Sequence, residues 1–212
     1  MHYEITIMSD NHDNGASLTS RGCYDGNDEE TCKKLKLARY GAHYIIIYPD
    51  LPTLREIYSQ YAKRQIEEKN EIVLILPHYE TTDTVRFVLS KLGDIDAEKL
   101  ERDDLLLIID SSRAYFGSSK DIISFVESLI DYAAQISRAG VSVLADMGSF
   151  FYYDKLDYLL GHETSLPTRF DMKAKGFCLY NRRDFDWRLS LKQKKELIEC
   201  HGRQLMISTN TR

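Results

Sequence analysis

Two apolar runs in this chain close on an aspartate: DLLLIID (104–110) on Asp110 and VSVLAD (141–146) on Asp146. Carboxylates brought close together can hold a magnesium ion or divide into a general acid and a general base. In phosphate-loop hydrolases such an aspartate supports the metal of the bound triphosphate. The plainer use of both residues is to cap the helix or turn that follows; if one of them meets a ligand, Asp146 is the better candidate. Arg113 carries a fork of donors suited to a carboxylate or phosphate, or to an acid at the rim. His78 and Tyr79, in LPHYE, suit a ligand contact or an exposed turn equally well.

A triphosphate also needs a cradle, GxxxxGK followed by Ser or Thr directly after the first strand, so that consecutive backbone N–H groups wrap the phosphates. That place holds YPDLPTLREIY (48–58), with no glycine, no lysine and two prolines that remove donors. GxGxxG, HExxH, GxSxG and the kinase set are absent as well. No catalytic residue is therefore expected. Cys23, Cys32, Cys178 and Cys200 lack CxxC spacing, and nothing makes His12 converge with Cys23 and Cys32. The cysteines read as spectator thiols, and no metal or cofactor is expected. The 14 tyrosines, with FFYY at 150–153, are mostly core material. Those that are not suit a pocket for a largely apolar molecule, or an interface.

The elements that must position these residues follow from hydrophobic period. AHYIIIY (42–48), EIVLILP (71–77), DLLLIID, VSVLAD, GFCLY (176–180) and RQLMIS (203–208) read as strands, with a further short one over Tyr3–Met8. Helical spacing is expected over 51–70, within 81–93 with Thr82 as cap and Gly93 as stop, over 118–140 with serine caps and Gly140 at its end, around 153–163 and over 190–202. Continuous apolar strands joined by helical crossovers imply an α/β fold with a mostly parallel sheet of five or six strands and helices on both faces. In such sheets ligands bind beyond the carboxyl ends of the strands. Asp110 and Asp146 are expected to end neighbouring strands and face each other there. His43, at the start of a buried strand, reads as a hydrogen-bonded structural histidine. Arg169 and Asp171, in TSLPTRFD, are expected near the crevice, and NRRDFDWR (181–188) reads as solvated or partner-facing surface.

With 212 residues and 43% apolar content, one main domain (40–212) is expected behind a polar N-terminal arm (1–39) that need not be wholly ordered. A net charge of -5 gives no basic footprint for direct nucleic-acid or membrane binding. The longest apolar runs fall far short of the roughly 20 residues of a spanning helix. A cytoplasmic protein is expected.

Four blocks, GAHYIIIYPDLPTLREIYSQYAKRQIEEKNEIVLIL, LLLIIDSSRAYFG, RAGVSVLADMGSFF and KGFCLYNRRDFD, in this order, resemble the MEDS family, the sensory domains of methanogens and methylotrophs, over about residues 40 to 207. The resemblance implies a RecA/KaiC-type three-layer core without its phosphate loop. It also implies a sensor of small organic molecules, hydrocarbon derivatives among them, coupled to a signalling or transcription-regulatory partner. The family's glycine, histidine and strand-closing tyrosine fall on Gly41, His43 and Tyr48, its next tyrosine on Tyr115, and its acid on Glu163, where the usual Tyr-Glu is His162-Glu163. No helix-turn-helix pattern precedes or follows the core, so output is expected through another polypeptide or a homo-oligomer. The expected ligand site is thus His43, Tyr48, His78, Tyr79, Asp110, Arg113, Tyr115, Asp146 and Glu163. A divergent nucleotide hydrolase and a pure interaction module are the alternatives.

Overall fold

The computed structural model describes residues 2–8, 20–22, 35, 37–117 and 121–210, so His12, Cys23 and Cys32 lie outside the described residues. Six strands run parallel: β3 (His43–Tyr48), β4 (Ile72–Leu76), β5 (Leu106–Ile108), β6 (Val141–Asp146), β7 (Ala174–Asn181) and β8 (Arg203–Asn210). Two more, β1 (His2–Met8) and β2 (Ser20–Gly22), extend one edge antiparallel, giving the order β2-β1-β8-β3-β7-β6-β4-β5. The mostly parallel α/β sandwich is the expected one.

Side-chain alternation along the central strands builds a core on each face. Ile46 and Tyr48 of β3 pack with Leu54, Ile57 and Tyr61 of α1 (Leu51–Glu67) and Val85 and Leu89 of α2 (Thr82–Leu92). The short α3 (Ala97–Arg102) completes that layer. Ile45 and Ile47 face the other way, toward Val126 and Leu129 of α5 (Ile122–Gln135). The same face carries α6 (Gly148–Tyr152), α7 (Leu156–Ser165), α8 (Arg182–Arg188) and α9 (Leu191–Glu199). Burial on both faces is why the strands read as unbroken apolar runs.

Caps set the helix starts. Asp50 accepts from Thr53 N and Oγ1 at the head of α1 (2.9 and 2.7 Å). Asp110 accepts from Arg113 N at the head of α4 (Ser111–Phe116), and Asp121, in place of the expected serines, opens α5. α2 is capped by Thr81, one residue before the expected Thr82. The single helix expected around 153–163 is two, α6 and α7, because Asp154 turns the chain at φ 54°. NRRDFDWR forms α8 and buries Phe185 beneath it, so only part of that run is surface.

Candidate functional site

The nine expected site residues separate into three groups. At the carboxyl edge, the Tyr48 hydroxyl donates to Asp146 Oδ2 (2.9 Å) and Gly148 N donates to Oδ1 (2.9 Å). Asp146 is fully enclosed, and burial pushes its carboxyl up to about 7 against the bonds from Gly148 and Tyr48 that favour the anion. His78 and Tyr79 close over this pair. A Cβ at Gly148 would come within 2.5 Å of His78 Cδ2 and 2.6 Å of Tyr79 Cε2, so glycine lets the rings seat there. The Tyr79 hydroxyl is tied to Asp184, and Glu80 to Arg55 and Tyr58. The space left beside Tyr79 and Asp146 is about 10 Å³, room for at most one water. Around Asp146 the carboxyl edge is filled by side chains.

Asp110 and Arg113 form the second group, exposed on the rim of an open depression that also includes Thr82 and Arg86. They do not meet Asp146, because β4 lies between β5 and β6 in the sheet. The expectation of two aspartates facing each other fails on strand order, and Asp110 serves as the N-cap of α4.

The third group lies inside the molecule, on the α5 side of the sheet. His43 opens β3 because Gly41, at φ 87°, turns the chain where a Cβ would strike Phe170 O at 2.5 Å. Residues 167–170 then fold across the amino end of β3, with Pro167 O 3.1 Å from His43 Nδ1. This places Arg169 away from the carboxyl edge, with its backbone bridged to Ala42. His43 Nε2 lies 3.3 Å from Glu163 Oε2, and Cys178 Sγ lies 3.6 Å from both. His201, following α9, places Nε2 3.4 Å from the same carboxylate oxygen, while its Nδ1 lies 2.6 Å from Leu197 O. The Tyr180 hydroxyl donates to Glu163 Oε1 (2.8 Å). Burial alone would raise Glu163; with the imidazoles protonated, a bond from His43 and the charges of His201, His43 and His162 outweigh it and hold the carboxyl down to about 2. Burial, with Glu163 beside it, drives the Cys178 thiol up, and burial takes His201 down to about 4.

Next to His43 and Cys178 is a cavity of about 60 Å³ walled by Tyr115, Val126, His162 and Phe170. The structure thus brings together His43, Tyr115 and Glu163 of the expected set and adds Cys178, His201 and Tyr180. Register pairs Cys178 with Ile45 and so puts its side chain on the face of β7 that His43 shares on β3. That pairing was the one usable signal, and it requires knowing that β7 neighbours β3.

No curated protein and no solved structure matches the chain. A family model described as "MEDS: MEthanogen/methylotroph, DcmR Sensory domain" matches residues 42–201, an interval that opens just before His43 and ends on His201. The protein that builds this interior cluster belongs to the MEDS family of sensory domains.

Proposed function

We propose that the chain senses a small, mostly apolar organic molecule in the cavity beside His43, Tyr115 and Cys178, without catalysis, and passes the change to a signalling or transcription-regulatory protein. The observation that carries this reading is the contrast between the two candidate sites. Around Asp146 the carboxyl edge is packed, whereas the interior cavity measures about 60 Å³ and has His43, Cys178, His162 and Tyr115 as polar side chains along an apolar wall. Where one water needs about 10–15 Å³, that volume accepts roughly four non-hydrogen atoms. The core reads as a RecA-type fold without its phosphate loop, since the Asp50 carboxylate occupies the α1 donors that would otherwise meet a phosphate.

Thermal shift against short alcohols, aldehydes, amines and carboxylates, run beside ATP and GTP with magnesium, tests the proposal. One or more of the small molecules should raise Tm, and Val126→Phe, which fills the cavity, should abolish the rise while leaving the circular dichroism unchanged. Stabilisation by nucleotides alone would overturn it. A purely interacting module is the second reading, favoured by the exposed rings of Tyr152, Tyr153, Tyr158 and Trp187.

A further inference from the structure

We propose that His43, Glu163, Cys178 and His201 form a binding site for one zinc-class divalent metal ion. The inference goes beyond the sensory reading and stands whether or not the cavity takes an organic ligand.

Four parts of the chain converge on the point: the start of β3, the last turn of α7, the middle of β7 and the second residue after α9. Their nearest ligand atoms all lie within 4.8 Å of one another. The four separations along Nε2, Oε2 and Sγ are 3.3, 3.4, 3.6 and 3.6 Å. Bonds of about 2.0–2.3 Å to a tetrahedral ion set edges of roughly 3.3–3.8 Å, so four of the six edges already match, and the other two, at no more than 4.8 Å, need to close by about 1 Å at most.

Hydrogen bonding orients the donors for the task. A backbone carbonyl only accepts, so the contacts to Pro167 O and Leu197 O place the Nδ1 proton on both rings. In the neutral rings Nε2 is then a bare lone pair, the arrangement that metal-ligating histidines use. Both lone pairs aim at one oxygen of a carboxylate that also carries lone pairs. His201 Nε2 is fully enclosed and makes no hydrogen bond. One proton between His43 and Glu163 would relieve one of these contacts and leave His201 orphaned; a cation at the centre relieves all of them. Tyr180 holds Oε1 and so leaves Oε2 for the metal. A divalent ion also balances one carboxylate and one thiolate, giving a neutral buried site. Two imidazoles, a carboxylate and a thiolate suit zinc, and cobalt as its spectroscopic substitute, and do not suit magnesium or calcium. His43 and Cys178 also line the cavity, so the metal's coordination shell would form part of the cavity wall.

The test uses the full chain, stripped with chelator and titrated with Co²⁺ and then Zn²⁺. One Co²⁺ per chain should bind, with a thiolate charge-transfer band and visible bands of tetrahedral intensity, and Zn²⁺ should abolish both. Cys178→Ser should lose the charge-transfer band. Glu163→Gln and His201→Gln should each weaken affinity by at least about tenfold, the loss that removing an outer-shell partner alone can cause. A chain with Cys23, Cys32 and Cys200 all changed to Ser should keep the band. Circular dichroism of each metal-free variant separates lost binding from lost fold, and the Gln variants carry the result if Cys178→Ser does not fold. Absence of stoichiometric binding by the folded chain would overturn the site, as would a band that survives Cys178→Ser or disappears with the other three cysteines.

Discussion

Asp146 sits where a magnesium-supporting aspartate was considered, yet its partners are a phenol, a backbone amide and apolar walls. A carboxylate so enclosed, with no cation within bonding reach among the described residues, holds its proton up to about pH 7, because burial lifts it from an ordinary 3.8 to about 7. Between those values the folded chain keeps a proton that the unfolded chain has released. Stability from this residue is therefore complete below about pH 4 and is lost as pH rises through about 7. A shift of that size corresponds to about 4 kcal/mol as an upper figure. In Asp146→Asn the amide still accepts from Gly148 N and can donate to the Tyr48 oxygen. The variant should flatten the decline between pH 4 and 7 and exceed the wild type in stability at pH 8, as read by urea unfolding across pH. An unchanged slope would show that Asp146 is ionised throughout and held by something other than these bonds.

At the scale of elements, β4, β6, β7 and α1 are locked together near the amino ends of the strands by a buried polar chain. Lys175 Nζ donates to Glu71 Oε1 (2.6 Å) and Gln65 Oε1 (2.9 Å), Ser142 Oγ donates to Glu71 Oε2 (2.6 Å), and the Tyr61 hydroxyl meets Ser142 Oγ (3.0 Å). Removing one member of a buried ion pair strands the other charge, at a cost of about 3–5 kcal/mol, whereas replacing both with apolar groups can be nearly neutral. Lys175→Met should destabilise the chain by that amount in urea, and Lys175→Met with Glu71→Leu should recover most of it; equal loss in both would mean that packing, not charge, holds the three strands. None of this chain was legible beforehand, for a physical reason. Residues such as Ile45 to Tyr48 and Ile72 to Leu76 announce strands because both faces are apolar, and Asp50 announces a cap because it acts on its own neighbours. The insertion of β7 between β3 and β6 leaves no local trace, and it is this insertion that brings Cys178 to His43 across 135 residues. Of the residues expected at the carboxyl edge, Tyr48, His78, Tyr79 and Asp146 gather there, and Asp110 and Arg113 lie apart from them. Its occupation by those same side chains depends on the absence of a Cβ at Gly148, which only the packing reveals.

Across the whole molecule, the interior cavity reaches the surface through aromatic rings. Tyr115 lines the cavity and lies 4.7 Å, ring to ring, from Phe150, which in turn lies 5.2 Å from Phe116 and 5.7 Å from Tyr158. Phe116 continues to Tyr153 at 5.5 Å, and Phe116, Tyr153 and Tyr158 are all exposed. Close-packed rings pass a displacement on because none can move without its neighbour. A molecule that fills the cavity therefore acts first on α4, α5 and α7, which line it, and through Tyr115 and Phe150 on α6, while no residue of α1 or α2, on the opposite face of the sheet, lines it. A compound that raises Tm should slow amide exchange over 111–117, 122–135 and 148–165 and leave 51–67 and 82–92 as they were. The carboxyl-edge alternative makes the contrary demand, since Leu54, Tyr58, His78 and Tyr79 enclose that space. Protection confined to 51–67 and 77–80 would thus return the ligand to the strand ends and leave the exposed rings of Tyr152, Tyr153 and Tyr158 unconnected with sensing.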